Sequence, residues 1–271
     1  MLVGNRLCRK IFLSIPVLLL LIGCTADSER TTALANVFLV DAPADFDEVW
    51  VEVLGVEVEG PGTRGQNNSE SVFFENVLSN KLVNVMALLA DNAFLVGRGE
   101  LQAGVITKLT LRLGTEAYVI FKGRRFPLVF LSEQTRSAEV TVRFSLEPAI
   151  SHDIFMDMEI FKSIQLGPGP DSVFVLDPQL RAFSNADTGQ ISGSIRPANE
   201  GAVVYAIKGP DTTAVSGVEK SSGKFTVRGL LGDHTLSIIP FNDDFQADTV
   251  PGIPVKEQAT TKLEPITLRP R

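Results

Sequence analysis

From Val49 to Glu59 the chain alternates apolar and polar side chains with one interruption. Val49, Val51 and Val53 fall on one face of an extended strand, and Trp50, Glu52 and Leu54 on the other. At Leu54-Gly55 the phase slips by one residue, and Val56 and Val58 then alternate against Glu57 and Glu59. Period two is the side-chain repeat of a β-strand. A one-residue slip would turn that strand inside out, so the pattern places a β-bulge at Gly55. A short apolar run, Val37–Val40, comes just before, and Asp41-Ala-Pro-Ala-Asp45 stands between the two. Val37–Gly60 therefore reads as a hairpin opening a β-rich chain.

The same period recurs downstream. Val72–Phe74, Leu95–Leu101, Ile106–Leu113, Tyr118–Phe121 and Phe126–Leu131 read as strands, the last two joined through Lys122-Gly123-Arg124-Arg125. Pro61–Ser69 is a loop by composition. Leu82, Val85, Met86 and Leu89 have helical spacing, with a buried connecting strand as the alternative for so short a run. In Glu139–Leu146, Val140, Val142, Phe144 and Leu146 face inward. Ile154, Met156, Met158 and Ile160 do the same against Phe155, Asp157 and Glu159. Gly167–Pro170 breaks the chain before a last strand over Ser172–Leu176. Polar Phe183–Thr188 reads as a linker. Strands follow at Gln190–Ile195, Ala202–Ile207, Thr213–Val218, Lys224–Val227, Thr235–Ile239 and Thr261–Leu268. Many short strands with Gly/Pro turns predict an antiparallel sandwich or barrel over residues 35–182 and a second run of short strands over 188–271. Joined to the resemblances given below, the expectation is an all-β chain of two antiparallel β-sandwich domains in tandem, Ig-like or transthyretin-like.

The N-terminus is of another kind. Arg6, Arg9 and Lys10 precede the apolar run Ile11–Ile22, which is shorter than the roughly 20 residues a membrane-spanning helix needs. It fits the apolar region of a secretory signal. The run ends in Leu21-Ile22-Gly23-Cys24, which resembles the bacterial lipobox. That resemblance implies a lipoprotein signal peptide over 1–23, acylation of Cys24, and a polar tether over 24–34. Thr25 after the cysteine resembles lipoproteins sent to the outer membrane. Loss of residues 1–23 leaves 22 Lys+Arg against 32 Asp+Glu, a net charge of −10. So acidic a body argues against nucleic acid as partner. With Cys8 removed and Cys24 lipidated, no cysteine remains for a disulfide or a metal.

Two resemblances cover the body. Val37–Val58, with Glu100–Gly104, Leu109–Leu113, Phe126–Leu128 and Phe161–Ile164, resembles an uncharacterised bacterial domain family found in lipoproteins, whose opening is an Asp-Ala-Pro turn before a Val-rich strand. It implies an envelope-located β-domain and carries no site. Gly189-x-Ile-x-Gly193-x-Ile195, Ala202–Tyr205 and Ser222-Gly223-Lys-Phe225-x-Val-x-Gly229-Leu230 resemble the carboxypeptidase-regulatory or transthyretin-like sandwich. Gly232-Asp-His234 stands where that family usually carries Gly-x-Tyr. This resemblance implies a non-catalytic accessory module.

Catalytic signals are sparse. His152 and His234, one in each region, read as surface or loop residues, and nothing is spaced as a zinc site or a Ser/His triad. No phosphate-binding glycine loop appears. Asp157 and Glu159 share one strand face, roughly 7 Å apart by strand rise. Glycosidase carboxylate pairs have such spacing, and so does a solvated sheet face. Asp41, Asp45, Asp47 and Glu48 are the candidate ligands of a Ca²⁺ ion, with turn chemistry as the competing explanation. Trp50 is either a sugar-stacking platform or a packed tryptophan. The resulting expectation is a lipid-anchored, non-enzymatic envelope protein with a structural, adhesive or ligand-presenting role. The alternative is a glycan- or calcium-dependent binding protein. The expected partners are the membrane, through the lipid, and an envelope protein or glycan.

Overall fold

The computed structural model describes residues 31–42, 44, 46–62, 65–167 and 173–271. The expected signal peptide, Cys24 and most of the tether lie outside the described residues. So do Pro43, Asp45 and the side chain of Asp41. Thr31–Arg271 forms one unit by contact density, and it contains two large hydrophobic cores.

The first core is built from β1 (Thr32–Ala42), β2 (Glu48–Gly62), β3 (Gly65–Glu75), β4 (Leu82–Asn84), β5 (Phe94–Gln102) and β6 (Gly104–Phe121). It continues with β7 (Arg124–Phe130), β8 (Ser137–Leu146), β9 (Ser151–Glu159), β10 (Ile164–Leu166), β11 (Phe174–Leu176) and β12 (Leu180–Ser184). A four-stranded sheet has the order β12-β9-β1-β5. An eight-stranded sheet has the path β10-β11-β7-β6-β2-β3, with β4 beside β2 and β8 beside β6. Ala35, Val37 and Leu39 from the first sheet and Val49, Val51, Val53, Val56 and Val58 from the second are fully buried in one shared cluster. Each fully buried aliphatic side chain of this kind contributes about 1.5–3 kcal/mol.

The second core follows Asn185–Thr188. Its strands are β13 (Gly189–Arg196), β14 (Ala202–Lys208), β15 (Asp211–Gly217), β16 (Lys224–Leu230), β17 (Gly232–Pro240), β18 (Asp248–Val255), β19 (Thr260–Lys262) and β20 (Ile266–Thr267). One sheet is β16-β13-β19 with β20 also on β13, and the other is β15-β14-β17-β18. Ile191, Val204, Phe225, Val227, Leu236 and Ile238 are buried between them.

The bulge falls where the phase slip placed it. Register between β2 and β6 shifts on both sides of Val53, and Val53 and Val56 both point inward. Only glycine fits at position 55, because a Cβ there would sit 2.4 Å from the Phe74 carbonyl oxygen and 2.5 Å from the Phe73 ring. The β6–β7 hairpin also forms as read, with Lys122 and Gly123 at φ 50° and 70° in its two-residue turn.

Other expectations give way. Val37–Gly60 is not a hairpin: β1 pairs with β5 and β9, while β2 pairs with β3, β4 and β6 in the other sheet. Alternation fixes which face of a strand is buried, but not which strand lies beside it. The sheets are mixed rather than antiparallel throughout, since β1–β9, β7–β11, β13–β19 and β13–β20 are parallel pairs. Most of the presumed loop Pro61–Ser69 is strand, held by cross-strand pairs such as Pro61↔Ser69. The segment with helical spacing is β4 followed by a single 3₁₀ turn, Val85–Ala87. β12 runs through Phe183 and Ser184, and β18 forms despite Pro251 and Pro254, as an edge strand can.

Candidate functional site

The carboxylates expected at the β1–β2 connection are engaged within the protein where their side chains are described. Asp47 is exposed, and its Oδ2 accepts the N–H of Gly123 (2.9 Å), tying the connection to the β6–β7 turn. Glu48 Oε2 accepts the indole N–H of Trp50 (2.6 Å). Among the described residues no group of three or more His, Cys, Asp or Glu is placed to hold a metal ion. Trp50 lies half-buried on the outer face of β2, its ring stacked on Tyr118 of β6 at 5.9 Å between centroids and 18° between planes. The Arg125 guanidinium sits 3.6 Å from the Tyr118 ring centroid. Glu48, Trp50, Tyr118 and Arg125 thus form a ladder across β2, β6 and β7, in which aromatic stacking and cation–π contact bind neighbouring strands.

Asp157 departs most from its sequence reading. It was expected on a solvated face, yet it is 3% exposed. Its neighbour Phe155, on the same face, is buried as well. Strand β9 is covered on both sides, by the first core beneath and by residues leading to the second core above. Arg181, the partner of Asp157 in the β9–β12 register, donates from Nε (3.2 Å) and Nη2 (2.5 Å) to Asp157 Oδ2. Nη1 and Nη2 of the same guanidinium each reach the carbonyl oxygen of Arg228 on β16 (3.2 Å). Phe38, Phe155 and Phe183 stack beside this network, with successive centroids 5.2 and 5.3 Å apart. Thr226 of β16 donates to Asp91 Oδ1 (3.0 Å), and Arg228 Nη1 approaches the Asn92 carbonyl (3.4 Å). Burial, only partly offset by Arg181, pushes the Asp157 carboxyl above its ordinary value. Burial also lowers Arg228.

Glu159 does not join Asp157 as a catalytic pair. It forms an ion pair with Lys162 (2.8 Å). Asp157 borders a void of about 10 Å³, too small for a sugar ring. The two histidines are not surface residues: His152 on β9 is 7% and His234 on β17 is 2% exposed. Each has a local partner, as buried polar groups require. His152 Nε2 accepts the Glu147 N–H (3.0 Å), and the Nδ1–H of His234 donates to Gly232 O (3.0 Å).

An open cleft of about 530 Å³ lies between the end of β8, the start of β9, the Asn185–Thr188 connection and the Gln258–Thr260 turn. Glu147, Asp153, Asn185, Asp187, Gln190 and Gln258 are among its polar lining. Backbone bonds brace it, from Gln258 N to Thr188 O (2.8 Å) and from Gln190 N to Ala259 O (2.9 Å). Its volume falls in the range of ligand sites, while its lining is largely polar and it is open to solvent. Sequence reasoning missed both the cleft and the Asp157–Arg181–Arg228 network, because their members are far apart along the chain. The one local signal was an acid at position 157 in Ile154–Met158, a run whose other four residues are apolar.

Fold and junction together define an all-β protein in which two hydrophobic cores are fastened by a buried charged network. The chain belongs to the family described as a domain of unknown function (DUF4382), which matches residues 32–178. No curated protein matches the chain. Among solved structures, the Bacillus anthracis TIE protein is similar at 9% identity and a TM-score of 0.23, over 89% of this chain and 34% of that one. The chain therefore spans about a third of that protein's length. The fimbrial anchor protein Mfa2 from Porphyromonas gingivalis is similar at 9% identity and a TM-score of 0.18, covering 76% of this chain and 77% of that one. The major pilin protein T-13 from Streptococcus pyogenes is similar at 7% identity and a TM-score of 0.17, over 89% and 100%. Scores this low assign no function. Among the described residues, no helix is long and apolar enough to cross a membrane.

Proposed function

We propose that this chain is a lipid-anchored, non-catalytic protein of the bacterial cell envelope, built as two β-sandwich domains in tandem, with a structural, adhesive or ligand-presenting role. The observation that carries this reading is Cys24, at the end of an apolar leader and just ahead of a body that enters its first strand at Thr32. Asp157, the buried acid among the described residues, is bonded to Arg181, which also reaches the Arg228 carbonyl of the second core. The open cleft offers carboxylates, amides and hydroxyls to a ligand. The C-terminal resemblance to carboxypeptidase-regulatory-like modules fits a spacer or presenting domain. Destination to the outer membrane rests on Thr25 after the cysteine.

Metabolic labelling with an alkyne-tagged fatty acid tests the anchor. The chain takes up label and sediments with outer-membrane vesicles, whereas Cys24→Ser loses the label and becomes soluble. Undiminished labelling of Cys24→Ser overturns the proposal. A second reading, a glycan- or calcium-dependent binding protein, is favoured by Trp50, half-buried on an outer sheet face and a few residues along the chain from Asp41, Asp45, Asp47 and Glu48. Titration calorimetry that gives no heat with Ca²⁺, and glycan-array binding unchanged by Trp50→Ala, would remove it.

A further inference from the structure

We propose that Asp157 is a latch: it orients Arg181 so that one guanidinium fastens the second core to the first, and a single water occupies the void at its free oxygen. Asp157 and Arg181 stand on neighbouring strands of the first core, paired in register. Arg181 spends its Nε and Nη2 donors on Asp157 Oδ2, and its Nη1 and Nη2 donors on the Arg228 carbonyl oxygen of the second core. A guanidinium is planar, so fixing one edge on a carboxylate aims the other edge. The rest of the seam closes around this bond. Arg228 lies over the Phe155 ring, Arg181 over the Phe183 ring, and Thr226 donates to Asp91.

The latch is selective for the docked state. If the cores separate, Arg181 returns to water with or without Asp157. If they dock without Asp157, a cation is sealed into the seam with no carboxylate beside it, which penalises docking itself. The second oxygen supplies an independent observation. Asp157 Oδ1 is the buried side-chain atom left without a partner among the described residues. It borders a void of about 10 Å³ lined by Val40, Ser216, Thr226 and Arg228 among others. That is close to the space one water needs, and a water there has polar neighbours from both cores.

The test uses the full chain, with calorimetry and hydrogen exchange across Asn185–Thr188. The natural chain is expected to unfold in one transition, with slow exchange in the connection. Asp157→Ala is expected to split the transition in two and to raise that exchange at least tenfold. Leu236→Ala, which weakens the second core on β17, away from the strands that line the void, is expected to lower the midpoint while keeping one transition. Where Asp157→Ala fails to fold, Arg181→Gln, which removes the guanidinium that reaches Arg228, is read in the same way. One transition with unchanged exchange in the Asp157 variant overturns the latch, as does a natural chain that already unfolds in two steps. A high-resolution crystal structure adds a direct check: density for a water within hydrogen-bond distance of Oδ1 supports the latch as stated, and a dry void removes its water.

Discussion

Strands β2 and β9 carry the same alternating pattern, and their outward faces meet opposite fates. On β2 the outward residues Trp50, Glu52 and Glu57 remain partly exposed. On β9 the outward residues Phe155 and Asp157 are sealed, because the seam with the second core lies over them. The inner faces are alike, with Val49, Val51 and Val53 on one and Ile154, Met156 and Met158 on the other fully buried. The difference teaches that an outward acid on a strand is a solvated charge or a structural fastener according to what covers it. Glu57 illustrates the first case. Its hydrogen bonds from Ser71 and Arg112 hold its carboxyl below the ordinary value, whereas burial raises that of Asp157.

The largest expected effect is at the covered face. Asp157→Ala leaves Arg181 unpaired in the seam and should cost about 3–5 kcal/mol, read as a lowered midpoint of the urea transition that separates the two cores. A loss below about 1 kcal/mol would mean that the seam is wet and that β9 resembles β2 after all. Next comes Gly55→Ala, whose new Cβ meets the Phe74 carbonyl and the Phe73 ring. Overpacking of this kind costs about 1–3 kcal/mol, read as a lowered denaturation midpoint. Trp50→Ala removes the stack on Tyr118, an interaction worth about 0.5–1.5 kcal/mol beyond the area buried.

Glu57→Gln should have the smallest effect, about 0.2–1 kcal/mol, because the ion pair with Arg112 is partly exposed. Its pH signature sharpens the comparison with β9. Glu57 has a lowered folded value, so its contribution is present above its ordinary 4.5 and is lost as the pH falls through the folded value. Asp157 has a raised folded value. Between that value and its ordinary 3.8 the native state holds a proton that the unfolded chain has lost, so its share of stability grows as the pH falls through this window. The charged groups acting on it there are Arg181 and Arg228, which favour ionisation, and Glu159, which opposes it. Asp91 acts on Arg228 from the other side. Urea midpoints measured across this range should lose the acid-side gain in Asp157→Asn and the acid-side loss in Glu57→Gln.

Much of the fold was legible because it depends on local spacing. The bulge at Gly55, the Lys122-Gly123 turn, the inward faces of β8 and β9 and most strands of the second core follow from period-two patterns and turn residues. Pairing was not legible. Nothing in Val37–Val40 says that its neighbours are β5 and β9 rather than β2. The candidate sites divide in the same way: Trp50 and Glu48 could be named in advance, whereas Arg181, Arg228 and the cleft could not.

The sequence by itself determined that this is an all-β chain, where its strands alternate, and which face of each is apolar, because those properties reside in neighbouring residues. Only the tertiary structure decided that the outward face of β9 is buried, that Asp157 is a paired interior charge, and that Arg181 bonds to both cores. Burial and pairing are set by whatever packs against a strand from elsewhere in the chain, and no local pattern carries that information.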